Sequence, residues 1–167
     1  MRHAFPADEL KPLTCKPVIN AGNCSMTLID TLDTLAIMGN ITEFCKQVDW
    51  VGNNVNFEQD HVVSLFETTI RVLGGLLSAH LLALDLHPYY NGRLLELALD
   101  LGRRLVRAFD TPTGIPYGAV HLVWGVLANE TKITSTACAG TLLLEFSTLS
   151  RLTGPHSDGP WTALERC

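Results

Sequence analysis

From Ser64 to Leu82, apolar residues fall on almost every side of a helical wheel: Leu65, Phe66, Ile70, Val72, Leu73, Leu76, Leu77, Ala79, Leu81 and Leu82 leave little of the circumference polar. A helix with that pattern is buried on most sides, so the stretch 64–84 is expected to be the central, most buried helix of the fold. Gly74 and Gly75 in its middle each cost about 1 kcal/mol relative to alanine, which argues for a close helix contact there. Stripes at helical spacing recur elsewhere. Residues 25–39 carry Leu28, Ile29, Leu32, Leu35, Ala36 and Met38, with Ser25 as the expected cap and Gly39-Asn40 closing the helix. A short helix is expected from Thr42 to Trp50, another from about Tyr90 to Ala108, and a last one from about Ser135 to Leu152, where the small residues 137–140 would allow close approach. Residues 1–24, punctuated by Pro6, Pro12 and Pro17, read as a helix end followed by loop. Residues 109–134 have no helical period and read as a long loop, a feature usually functional or mobile. Helix after helix with no clear strand pattern implies an all-α domain over 1–154, with 155–167 a divergent tail.

Charge interrupts this pattern in few places. In the first two turns of the central helix only Glu67 and Arg71 are charged. Ser64-x-x-Glu67 has the form of a capping box, and Glu67 stands four residues before Arg71, the favourable order for a helical ion pair. On physics alone that structural role suffices. The sharper reading is a carboxylate at the mouth of an apolar helix, partly desolvated and suited to donate a proton, with Arg71 opposing it. Asp30 and Asp33 break the stripe of the 25–39 helix, and Asp33 reads as a polar-face or capping residue. Glu145 reads as half of an inter-helix ion pair, and Arg103, Arg104 and Arg107 as a solvated helix face and its C-terminal charge.

Composition narrows the class. Hydrophobic residues make up 47% and charged residues 17%, which excludes a disordered chain. The net charge of −5 argues against a nucleic-acid partner. The apolar run Val72–Leu86 contains His80 and Asp85 and falls short of a membrane span of about 20 residues, so no transmembrane segment is expected. Met1-Arg-His-Ala-Phe-Pro6 lacks the apolar core of a signal peptide. The five cysteines, Cys15, Cys24, Cys45, Cys138 and Cys167, have no C-x-x-C spacing and give no support for zinc; the odd number leaves one unpaired or paired outside the chain. Three N-glycosylation sequons begin at Asn23, Asn40 and Asn129 and, with the cysteines, lean towards a secretory compartment.

Five stretches carry a family resemblance. Phe66-Glu-Thr-Thr-Ile-Arg-Val-Leu-Gly-Gly-Leu-Leu-Ser-Ala79 resembles the signature of glycoside hydrolase family 47, the class I α-1,2-mannosidases. Phe5-Pro-Ala-Asp-Glu-Leu-Lys-Pro-Leu-Thr-Cys15 and Ser25-Met-Thr-Leu-Ile-Asp-Thr-Leu-Asp-Thr-Leu35 resemble its first two motifs. Ala108-Phe-Asp-Thr-Pro-Thr-Gly-Ile-Pro-Tyr117 and Leu144-Glu-Phe-Ser-Thr-Leu-Ser-Arg-Leu-Thr-Gly154 resemble two later ones, in the family's order. Within the family the wording is most similar to the ER degradation-enhancing α-mannosidase-like branch. Cys138 stands where processing mannosidases usually have a glutamate, which that branch also lacks.

The resemblance implies about the first third of an α/α barrel of helical hairpins. It implies inverting hydrolysis of α-1,2-linked mannose on high-mannose N-glycans of misfolded glycoproteins in the ER lumen, with a bound calcium ion. Glu67 matches the family's general acid, Arg71 a substrate-contacting arginine, and Asp30 an acidic position near the active site. The family's catalytic base and calcium-holding threonine have no counterpart among these residues, and EF-hand spacing is absent too, so the chain alone is expected to be inactive. Two other readings stay open: a non-catalytic glycan-recognition or adaptor module, and a helical fragment without independent function. An oxidoreductase partner through a cysteine is a further expectation. Cys138 is either a small buried side chain or a disulfide partner of Cys15.

Overall fold

The computed structural model describes residues 3–20 and 22–154. The expected tail at 155–167, with Cys167, lies outside them. In chain order the elements are β1 (Glu9–Lys11), β2 (Lys16–Val18), α1 (Met26–Ile37), α2 (Ile41–Asn54), β3 (Val62–Ser64), α3 (Leu65–Leu86), α4 (Arg93–Leu105), β4 (Ala119–His121), α5 (Thr136–Gly140) and α6 (Leu143–Thr153).

The central helix is α3. It packs against α1, α2, α4 and α6, and Val72, Leu73, Leu76 and Ala79 are fully buried. At 22 residues it is long and apolar enough to cross a membrane by length and composition, more than the Val72–Leu86 run alone would allow. Here it serves as the core onto which the amphipathic helices fold. Gly75 explains how α1 can approach it: a Cβ there would lie 2.8 Å from the carbonyl oxygen of Ile29. Gly74 differs, since its nearest neighbour, Glu145 Cγ, would be at an ordinary 3.6 Å. The close contact expected from the glycine pair thus belongs to Gly75. The helix is not uniform either. Thr68–Leu73 form a π-helical segment with one extra residue per turn, which no residue pattern announced.

Several expected boundaries move. Residues 9–18 form an antiparallel β1–β2 hairpin instead of loop, and the long 109–134 connection contributes β4, which pairs with β3 in the register Val63↔Val120. Strands of three residues are too short to show alternation. The 90–108 helix ends at Leu105 and tightens into a 3₁₀ turn at Val106–Phe109. The last helix is split by a break at Thr141 and Leu142 into α5 and α6. α5 lies beside the first turn of α3, but none of its residues is buried and a Cβ at Gly140 would meet nothing within 4 Å. Among the described residues Glu145 forms no ion pair. Its stem packs beside Gly74, and Oε2 is buried without a hydrogen-bond partner.

Candidate active site

Glu67 sits where strand becomes helix. β4 holds β3 in place, Gly118 O accepts the Leu65 N–H, and the chain turns directly into α3. Ser64 Oγ accepts the Glu67 N–H at 3.4 Å, so half of the expected capping box forms. The glutamate side chain does not return to the cap. Its Oε2 accepts Arg71 Nε–H at 2.6 Å, across the π segment. Arg71 Nη1 donates in turn to Asp30 Oδ2 of α1 at 3.3 Å. The three residues singled out from sequence, from two helices 41 positions apart at their widest, therefore form one connected chain of carboxylate, guanidinium and carboxylate.

These side chains are 47%, 44% and 41% exposed for Glu67, Arg71 and Asp30, so the Glu67 carboxylate is about half withdrawn from water and half open to it. The hydrogen bond that Arg71 donates to Glu67, the charge of that carboxylate, and then Asp30 push the Arg71 guanidinium above its ordinary value. Glu67, Thr68 and Arg71 line a groove of about 320 Å³ together with Glu9, Asn20 and Ser64. Oε1 of Glu67 carries no hydrogen bond among the described residues.

One organising residue escaped the sequence reading. Asp8 is fully buried between the hairpin and α1. Its Oδ2 accepts N–H groups of Asn20 and Asn23 at 3.1 and 3.0 Å, and its Oδ1 accepts that of Met26 at 3.3 Å. Asp8 therefore caps α1, in place of Ser25, whose hydroxyl donates to Pro6 O and whose backbone is left-handed. Burial and the neighbouring Asp8 carboxylate push the Cys24 thiol up to about 12. A cap eighteen residues upstream has no local signature. Asp33, by contrast, sits on the expected polar side and accepts a hydrogen bond from Ser78 Oγ.

Asn23, Asn40 and Asn129 are all exposed, and Asn40 Oδ1 also accepts the Glu43 N–H as the cap of α2. Cys15, Cys24, Cys45 and Cys138 are free thiols, so the pairing of Cys15 with Cys138 is not made. Among the described residues no group of three or more His, Cys, Asp or Glu stands close enough to hold a metal ion.

The sequence profile of glycosyl hydrolase family 47 matches residues 1–157. The chain belongs to that family. It is 56% identical over 158 residues to "Alpha-mannosidase I MNS4" of Arabidopsis thaliana, a match covering 92% of this chain and 25% of that protein. It is 49% identical over 160 residues to "ER degradation-enhancing alpha-mannosidase-like protein 2" of Homo sapiens, covering 92% of this chain and 28% of that one. The fold superposes on the "alpha-1,2-mannosidase from Trichoderma reesei" with a TM-score of 0.81 and 32% identity, over 92% of this chain and 34% of that chain. The chain thus spans about a quarter to a third of the length of these family 47 relatives, and its helices correspond to a third of an α/α barrel.

Proposed function

We propose that this family 47 chain supplies the acid-bearing wall of an α-1,2-mannosidase that trims high-mannose N-glycans of misfolded glycoproteins in the ER lumen. The observation that carries this is the hydrogen-bonded chain Glu67–Arg71–Asp30, with bonds of 2.6 and 3.3 Å, whose Glu67 and Arg71 line one groove. Glu67 is the proton donor to the leaving glycosidic oxygen, approached through its free Oε1. Arg71 and Asp30 orient sugar hydroxyls, the guanidinium as donor and the carboxylate as acceptor. The names of the relatives, which include α-mannosidases and ER degradation-enhancing mannosidase-like proteins, support the substrate class and compartment. Exposure of the sequon asparagines agrees with lumenal glycosylation at one or more of Asn23, Asn40 and Asn129. Family membership brings an expectation of calcium. The described residues offer no cluster that fits one, and no step above depends on it.

The test is Glu67→Gln in a protein that contains this chain and trims mannose. Glutamine keeps the shape and the backbone hydrogen bond to Ser64 but cannot donate the proton, so mannose release should fall about 10²–10⁴-fold with little loss of stability. Trimming at the parent rate would reduce Glu67 to a cap. Glycan binding without trimming by every protein that contains this chain would support the recognition-module reading instead. The 167-residue chain alone is expected to release no mannose with either residue.

A further inference from the structure

Arg103, Arg107, Asp110 and Trp124 line a second groove, of about 720 Å³, which shares no residue with the one around Glu67. Trp124 is 73% exposed, although its indole carries more apolar surface than the buried rings of Phe44, Phe57 and Phe146. It is also held in place. His121 and Gly125 close a tight turn by exchanging backbone hydrogen bonds of 2.8 and 2.9 Å. His121 Nδ1 accepts the N–H groups of both Val123 and Trp124, while its Nε2–H donates to Asp60 at 3.0 Å. The stem of Arg107 lies across the turn: its Cδ is 3.2 Å from where a Cβ of Gly125 would be, at a backbone φ of +83° that already favours glycine. Arg107 Nη1 donates to Val123 O at 2.7 Å. An exposed indole on a turn braced from two sides loses little freedom when a ligand settles on it.

The polar rim narrows the ligand. Among the described residues Arg103 makes no ion pair and the Asp110 carboxylate accepts no hydrogen bond, so the groove offers unengaged donors and an unengaged acceptor around an aromatic face. A simple anion would use the arginines but meet Asp110, gain nothing from the indole, and approach a chain of net charge −5. A pyranose ring matches every group, with its C–H face on Trp124 and its hydroxyls accepting from the guanidinium groups and donating to the carboxylate. The size falls in the roughly 300–1,000 Å³ range of ligand sites. We propose that this groove is a second carbohydrate site, taking a neutral hexose unit of a glycan outside the Glu67 groove. It rests on the function proposed above only for the choice of sugar.

The test follows the indole N–H signals of the three tryptophans in ¹⁵N-labelled 167-residue chain during titration with α-1,2-linked mannobiose, the Trp124 signal being identified by its loss in Trp124→Phe. The Trp124 signal should move saturably. Trp124→Ala, followed through backbone signals, and Arg103→Ala should each weaken binding about tenfold, and Glu67→Gln should leave it unchanged. Should Trp124→Ala fail to fold, Arg103→Ala decides, because that exposed side chain holds nothing else in place. No saturable movement, an equal response to inorganic phosphate, or unchanged affinity in Arg103→Ala would overturn the proposal. Loss of the response in Glu67→Gln would also overturn it and place the sugar at the first groove, leaving the proposed function standing.

Discussion

Two adjacent glycines in α3 should respond to the same substitution with opposite sign. An alanine methyl at Gly75 would sit 2.8 Å from Ile29 O, 3.0 Å from Ile29 Cγ2 and 3.1 Å from Ile29 C. Two of these are backbone atoms of α1, so no rotamer change relieves the clash and the helices must part by about half an ångström through a close-packed core. Overpacking of this kind costs about 1–3 kcal/mol, and separation of the seam around Leu32 and Leu76 pushes towards the upper end. The helix-propensity gain returns about 1 kcal/mol, leaving Gly75→Ala destabilised by up to about 2 kcal/mol. At Gly74 the methyl meets Glu145 Cγ at 3.6 Å, an ordinary contact, so Gly74→Ala keeps the propensity gain and is stabilised by about 0.5–1 kcal/mol. Urea unfolding followed by circular dichroism reads both, as shifts of the midpoint in opposite directions at unchanged slope. Equal shifts of the same sign would refute the claim that packing against α1, and not propensity, governs this helix.

Other expectations follow from the same geometry. Asp8→Ala strips the acceptor from three backbone N–H groups, of which that of Met26 is buried, and should cost about 2–3 kcal/mol, whereas Glu67→Gln, at a half-exposed pair, should cost less than about 1 kcal/mol in the same melt. The Cys24 thiol, at about 12 when folded against 9.0 ordinarily, keeps its proton while the unfolded chain loses its own; stability should therefore fall as pH rises from about 9 towards 12, and fall less in Cys24→Ala. Burial lowers the His80 pKa below 6.5, so the unfolded chain takes up a proton first on acidification and stability should fall as pH drops below about 6.5, an effect absent in His80→Gln. Tyr90→Phe removes a hydroxyl that bonds His80 Nδ1 at 2.8 Å and accepts the Leu94 N–H at 3.1 Å, and should cost about 1–3 kcal/mol in thermal unfolding.

What the sequence made legible depends on the range over which each signal acts. The burial of α3 and the stripes of α1 and α4 are written in local periodicity, and the structure keeps them except at Met38, which lies past the end of α1 and is 78% exposed. The Glu67–Arg71 pair is local too; its extension to Asp30 came only through family motifs, because nothing near Asp30 announces Arg71. The misses are long-range or too short to have a period. Asp8 caps a helix across a hairpin, β3 and β4 pair over more than fifty residues, and Trp124 gains its bracing from Arg107 and His121. Arg104, assigned to the solvated face, instead reaches Asp100 and the Leu122 carbonyl and ties the long connection to α4.

The π segment makes α3 a helix with two phases. Ahead of it, the angle of Glu67 about the axis is set by β3 and the groove; behind it, the angle of Gly75 is set by the backbone of α1. Six residues with a wider turn absorb the mismatch, so neither end dictates the other. A one-residue deletion at Ile70 would let the segment close into regular α-helix, and because each helical residue turns the chain by about 100°, the two ends would then compete for a single register. The buried seam holds far more apolar surface than the mouth of the groove, so the seam would win and Glu67 would swing away from the groove. Length variation at this point of the chain would therefore silence the site while sparing the fold.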